Sequence, residues 1–227
     1  MTRATPAIDR DAVASLHAQV IAELASPGDW WDAPSRRSAL EEARAARTCA
    51  VCQARGRALS PEAITDSHAS RDLLSDAAIE VIHRIVNDQG RLTKRWADAQ
   101  IAALGDAVYA ELVAITAIIV AIDVCARSLG APPPDLIEPI DGVPALERPD
   151  DLGDVGAWIP MTEQKVMANV SRALSLVPRT NRTWRLLVNE SYSRGPQMLA
   201  LTWERALSRP QIELVAARVS QLNQCFY

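Results

Sequence analysis

AVYAELVAITAIIVAIDVCARS, residues 107–128, follows Gly105-Asp106 and is apolar on nearly every face of a helical wheel. A helix that is hydrophobic all round must be covered all round, so this stretch predicts the central helix of a helical fold. Its apolar run from Leu112 to Ile122 is interrupted by Thr116 and is too short to span a bilayer.

Working outward, 75–88 (SDAAIEVIHRIVND) places Ala78, Ile79, Ile82, Ile85 and Val86 on one face behind a Ser75 N-cap, and Gly90 stops it. A helix over 92–103 follows. Nearer the N-terminus, 8–26 carries Ala12, Val13, Leu16, Val20, Ile21 and Leu24 on one face and ends at Pro27-Gly28-Asp29. Trp30-Trp31 and Pro34-Ser35 lead into a helix over 36–48 (RRSALEEARAART), too polar to be core on all sides, which delivers Cys49-Ala50-Val51-Cys52. Ser60-Pro61-Glu62 reads as another helix start. Residues 131–160 hold seven of the 14 prolines among Asp, Gly and Glu, the composition of an extended surface segment or linker. Helical signals resume at 162–176, 180–193 and 196–207. The last segment, Pro210 to Tyr227, carries Ile212, Leu214, Val215, Val219 and Leu222 at helical spacing. No stretch alternates as a strand, so the fold class expected is all-α.

The 227 residues are enough for one large domain or two small ones with a sizeable core. With 48% hydrophobic residues, 23% charged and a net charge of −4, the chain has an ordinary globular balance and no visible basic surface for nucleic acid. MTRATPAIDRDAV lacks the basic-then-apolar pattern of a signal peptide, which gives the expectation of a soluble, cytoplasmic protein without membrane or nucleic-acid partners. Four cysteines in such a compartment (Cys49, Cys52, Cys125, Cys225) suggest redox or metal chemistry rather than structural disulfides.

Cys49 and Cys52 form the complete Cys-x-x-Cys, and three readings stand open for it: a redox pair, half of a zinc site completed from Cys125, His17, His68 or His83, or two inert thiols. Glu80 and His83 make an E-x-x-H of the kind used in bundle metal sites, but a single copy is present and Arg84 flanks it, so His83 is expected at the surface or an interface. The six tryptophans read as seals between helices. At the other end, Glu213 is separated by eleven residues from Cys225, after which the chain stops at Phe226-Tyr227.

Glu-Leu-Val on a helix followed by Asn-x-Cys resembles the core of the AhpD-like alkylhydroperoxidase and carboxymuconolactone decarboxylase superfamily, whose redox members read Glu, eleven residues, Cys-x-x-Cys, three residues, His. Glu213 and Cys225 match the first two positions; the second cysteine and the histidine would fall beyond Tyr227. The resemblance implies a thiol- or selenol-dependent peroxidase in which Cys225 resolves, Glu213 relays protons, and the attacking residue is a cysteine or selenocysteine just after Tyr227. A UGA codon read as a stop would explain the end of the chain. Cys49 and Cys52 would then be an auxiliary redox pair. The resemblance further implies a hydroperoxide substrate, a dithiol or protein-thiol electron donor, no cofactor, no metal, and a homo-oligomer. A faint repeat supports it: ELVAITAIIVAIDVCARSLG from Glu111 aligns with ELVAARVSQLNQCFY from Glu213, with Asp123 opposite Cys225. The domains expected are an N-terminal helical half over 1–130, the linker over 131–160, and a C-terminal AhpD-like core over 161–227. The alternatives are a decarboxylase-like enzyme of the non-redox branch, and a helical scaffold or interaction protein with incidental cysteines.

Overall fold

The computed structural model describes residues 9–164, 169–191 and 207–222. It is all-α apart from one pair of two-residue strands. In chain order the helices are α1 (Arg10–Leu24), α2 (Ala33–Ala46), α3 (Ala50–Arg57), α4 (Asp76–Asn87), α5 (Lys94–Leu104), α6 (Asp106–Ser128), α7 (Asn169–Arg172), α8 (Pro178–Ser191) and α9 (Arg209–Leu222). Residues 192–206, which include most of the helix expected at 196–207, lie outside the described residues.

The helix starts follow side-chain chemistry. Asp9, Asp32, Ser75 and Thr93 each accept a hydrogen bond from an amide in the first turn of α1, α2, α4 and α5. Asp32, with Pro34 in the first turn, starts α2 at Ala33, three residues ahead of the expected boundary. Gly105, at φ 85°, ends α5 and starts α6 in one sharp reversal, a backbone that favours glycine.

α6 is the central helix. Leu112, Ile115, Ile118, Ile119 and Ile122 are fully buried against α2 and α4, and α5 and α8 cover its remaining sides. By length and composition α6 could cross a membrane, but 61% of its apolar window is buried inside the protein. α2 is not core on all sides, as its polar sequence implies, but its buried face includes polar side chains. Arg36, Ser38 and Glu42 are buried on it along with Ala39, Leu40 and Ala43, and each of the three polar side chains makes a hydrogen bond outside the helix.

The turn 28–31 ties the bundle together. Gly28 N–H donates to the Trp31 carbonyl, and the amides of Trp30 and Trp31 both donate to Glu111 Oε2 of α6, at 2.5 and 3.2 Å. Arg36 stands 3.7 Å from the other oxygen of Glu111. Asp29 accepts from the amides of Arg179 and Thr180, capping α8 from a distant part of the chain, where a negative charge meets the positive helix end. A Cβ on Gly28 would lie 1.7 Å from Glu111 Oε1, so only glycine fits.

Two expectations about the second half need correction. The proline-rich segment contains one strand of a short antiparallel pair, Leu152–Gly153 with Met161–Thr162. It is also held down: Ile140, Ala145 and Leu146 donate amides to the carbonyls of Ala25, Gly28 and Asp29, and Arg37 and Arg44 bind its carbonyls. The helix expected over 162–176 is, among the described residues, only α7. Its start is diverted because Met161 and Thr162 pair as a strand.

Candidate functional site

Cys49 ends the turn after α2 and stands at the N-cap of α3, with Cys52 in that helix's first turn. The segment between α3 and α4 folds back and brings His68 Nδ1 to 3.5 Å from the Cys49 sulfur. α4 brings His83 Nδ1 to 3.2 Å from the Cys52 sulfur. Each imidazole then meets a carboxylate through its other nitrogen. His68 Nε2 lies 3.2 Å from Glu80 Oε2, and His83 Nε2 lies 2.7 Å from Glu42 Oε1 on α2. The two rings stack with centroids 3.8 Å apart. Two Cys–His–Glu chains therefore run side by side.

Arginines and a tryptophan fix the carboxylates. Arg55 of α3 donates to Glu80 at 2.7 Å and Trp96 donates its indole N–H at 3.3 Å. Arg71 donates to Glu42 through Nε and to Glu41 at 3.2 Å. Cys52 and His83 are buried, and the Cys49 side is half-buried. A polar cleft of about 260 Å³, lined by Arg55, Asp66, Ser67, His68, Asp76 and Glu80, opens onto the Cys49 chain.

The two thiols differ. Burial pushes Cys49 up, but the amides of Cys52 and Val51 and the His68 ring together outweigh it and hold the thiol below its ordinary value. Cys49 makes no side-chain capping bond, but its place at the N-cap sets the sulfur at the positive end of α3, which favours the thiolate. Burial, followed by the neighbouring Cys49 charge, pushes Cys52 up to about 12. The imidazoles differ in the same sense. Burial disfavours the charged ring in both. For His68 the bonds to Glu80 and Cys49 win and raise it, although Arg55 opposes them; for His83 burial wins and lowers it despite Glu42. Burial opposes the ionised form of Glu80 and Glu42, yet their imidazole and arginine partners lower both, Glu80 to about 2. The shifts favour the thiolate at Cys49 and the imidazolium at His68, and the thiol at Cys52 and the neutral ring at His83.

The sequence singled out Cys49 and Cys52, and the structure gives them partners. His83 is not at the surface: its ring faces inward between Glu42 and Cys52. Of the possible metal ligands, His68 and His83 join the pair. One donor atom from each of Cys49, Cys52, His68 and His83 lies within 4.8 Å of every other. His17 instead lies buried on α1 beside Ala126, Leu129 and Pro132, and Cys125 is a free half-buried thiol on α6. The roles of Glu42, Arg55 and Arg71 had no sequence signal. Glu213 is exposed on α9 with Arg209 Nε 3.6 Å away, and Cys225 lies outside the described residues. The aligned positions in α6, Glu111 and Asp123, serve structure: Glu111 in the 28–31 anchor, Asp123 in a two-pronged bond with Arg44.

Fold and site together define an all-α protein with a partly buried dithiol–diimidazole cluster. Comparison with family models, curated proteins and solved structures gave no match to this chain.

Proposed function

We propose that the chain is a thiol-dependent oxidoreductase of the peroxidase type, cytoplasmic, with Cys49 as the attacking thiol and Cys52 as the resolving one. The observation that supports it is the pair of Cys–His–Glu chains: a nucleophile, a base and an orienting carboxylate, twice over. The Cys49 thiolate attacks the outer oxygen of a hydroperoxide, and His68 gives its proton to the departing alkoxide, leaving Cys49 sulfenic acid and an alcohol. Cys52 then attacks the sulfenic sulfur. Its proton passes by way of His83, held by Glu42, to the departing hydroxide, and water leaves as the Cys49–Cys52 disulfide closes. A dithiol donor reduces that disulfide by exchange and is itself oxidised.

The kinship to AhpD-like proteins is kept within this proposal, since carboxylate–imidazole–thiol relays are the chemistry that the resemblance implies. The attacking residue differs from the one it implies. Glu213 lies in solvent beside Arg209, whereas Cys49 has its relay in place.

Hydroperoxide consumption by the 227-residue chain with a dithiol donor tests the assignment. Cys49→Ser is expected to bring turnover to background. Cys52→Ser should allow a single equivalent of peroxide to react but not turnover, and Cys225→Ser should leave the rate unchanged. Loss of turnover in Cys225→Ser with full activity in Cys49→Ser would return the site to the C-terminal segment.

A further inference from the structure

We infer that the reduced chain binds one zinc-class divalent ion between Cys49, Cys52, His68 and His83. The inference uses the same side chains as the peroxidase reading but not its chemistry. Two sulfurs and two imidazole nitrogens are the donor set of tetrahedral zinc, whose bonds of about 2.0 to 2.3 Å put neighbouring donors roughly 3.3 to 3.8 Å apart. The sulfur–Nδ1 separations here are 3.5 and 3.2 Å, and all four donors fall within 4.8 Å of one another. The widest donor pairs, within 4.8 Å, need to close by roughly 1 Å to meet a tetrahedral ion.

What surrounds the donors favours the metal independently. A metal-bound histidine hands its remaining N–H to a carboxylate, which fixes the ring and makes the ligating nitrogen more basic. Both histidines here turn Nδ1 to sulfur and Nε2 to a glutamate, and an arginine holds each glutamate. With both sulfurs ionised, a divalent cation balances their charge, while Arg55 and Arg71 balance Glu80 and Glu42. The buried cluster is then neutral.

Apart from the bonds of Arg71 to Glu41 and Glu42, of Ser38 to the Asp72 carbonyl and of Arg91 to the Ala58 carbonyl, the segment that supplies His68 has few apolar anchors. Leu59 is fully exposed, Leu73 is mostly exposed, and Leu74 and Pro61 are the buried apolar side chains between α3 and α4. An ion at the four donors would tie this segment to α3 and α4.

The test is cobalt(II) titration of the full reduced chain after treatment with a chelator. The expected result is one equivalent bound, with the intense visible bands of tetrahedral cobalt and a thiolate-to-metal charge-transfer band, both lost when zinc is added. Cys52→Ser and His83→Ala should each abolish the tetrahedral spectrum, Glu42→Gln should weaken binding about 10- to 100-fold, and Cys225→Ser should change nothing. Should the ligand variants fail to fold, the wild-type chain still decides the matter: zinc should raise the melting temperature of the reduced protein by at least about 5 °C. An octahedral spectrum, a tetrahedral spectrum that survives Cys52→Ser, or a melting point indifferent to zinc would overturn the site. Zinc should also block peroxide turnover, because both sulfurs are occupied. Turnover by the zinc-free chain reports on the peroxidase reading separately, so either proposal can fail without the other.

Discussion

Two buried carboxylate clusters lie within one bundle, and they spend their charge differently. Around Gly28, the carboxylates of Asp29 and Glu111 accept from backbone amides, and Arg36 stands beside Glu111. Those partners have no proton to give, so this cluster can only hold helices together. Around Cys49, the carboxylates of Glu42 and Glu80 end on imidazoles, and each imidazole ends on a sulfur. Every link there carries a transferable proton, and a polar cleft reaches it. Burial of charge is common to both clusters. What separates a structural cluster from a chemical one is whether the partner of the carboxylate can titrate.

Breaking the structural cluster should cost stability and spare the chemistry. Gly28→Ala drives a methyl into Glu111 and should destabilise the fold by about 3 kcal/mol in urea unfolding, as overpacking does at its upper end. Thiol reactivity per folded molecule should stay unchanged. Glu42→Gln is the reverse case. It leaves a hydrogen-bonding group beside His83, so stability should fall by only about 1 kcal/mol, while resolution by Cys52 slows by roughly 10²-fold for loss of the relay.

The two clusters should also respond to acid with opposite signs. Glu80 is lowered from 4.5 to about 2, so between those values the unfolded chain binds the extra proton and stability falls as pH falls. Glu111 is raised, first by burial and against the pull of Arg36, so the folded chain takes up the proton earlier and Glu111 adds stability as pH falls. Urea midpoints followed from pH 6 to pH 3 for the Glu80→Gln and Glu111→Gln variants should therefore depart from wild type with slopes of opposite sign. Slopes of the same sign would mean that the two carboxylates titrate alike. The smallest effect is expected at Glu213. It is exposed and its ion pair with Arg209 is long, so Glu213→Gln should shift stability by less than about 0.5 kcal/mol and leave peroxide turnover intact.

How far the sequence could be read follows from which contacts are local. α6 was legible because Leu112 to Ile122 is apolar all round, and α4 because Ile79, Ile82 and Val86 repeat at helical spacing. The Cys-x-x-Cys was legible because both halves sit on one turn. His68 was only one of four candidate partners, and Glu42 and Arg71 were not assigned to it, since 19, 41 and 29 residues separate His68 from Cys49, Glu42 from His83 and Arg71 from Glu42, and no local pattern records such pairings. α9 shows the opposite limit. Its apolar spacing is real, yet Leu214, Val215, Val219 and Leu222 are exposed. Periodicity declares that a helix has an apolar face, not that this chain covers it.

Peptide mapping after oxidation tests the central claim most directly. The reduced, metal-free 227-residue chain is treated with one equivalent of an alkyl hydroperoxide, blocked with an alkylating reagent, digested and read by mass spectrometry. The expected product is a disulfide between Cys49 and Cys52, with Cys125 and Cys225 recovered as alkylated thiols. Cys49 and Cys52 recovered alkylated, with the oxidation on Cys225, would contradict it.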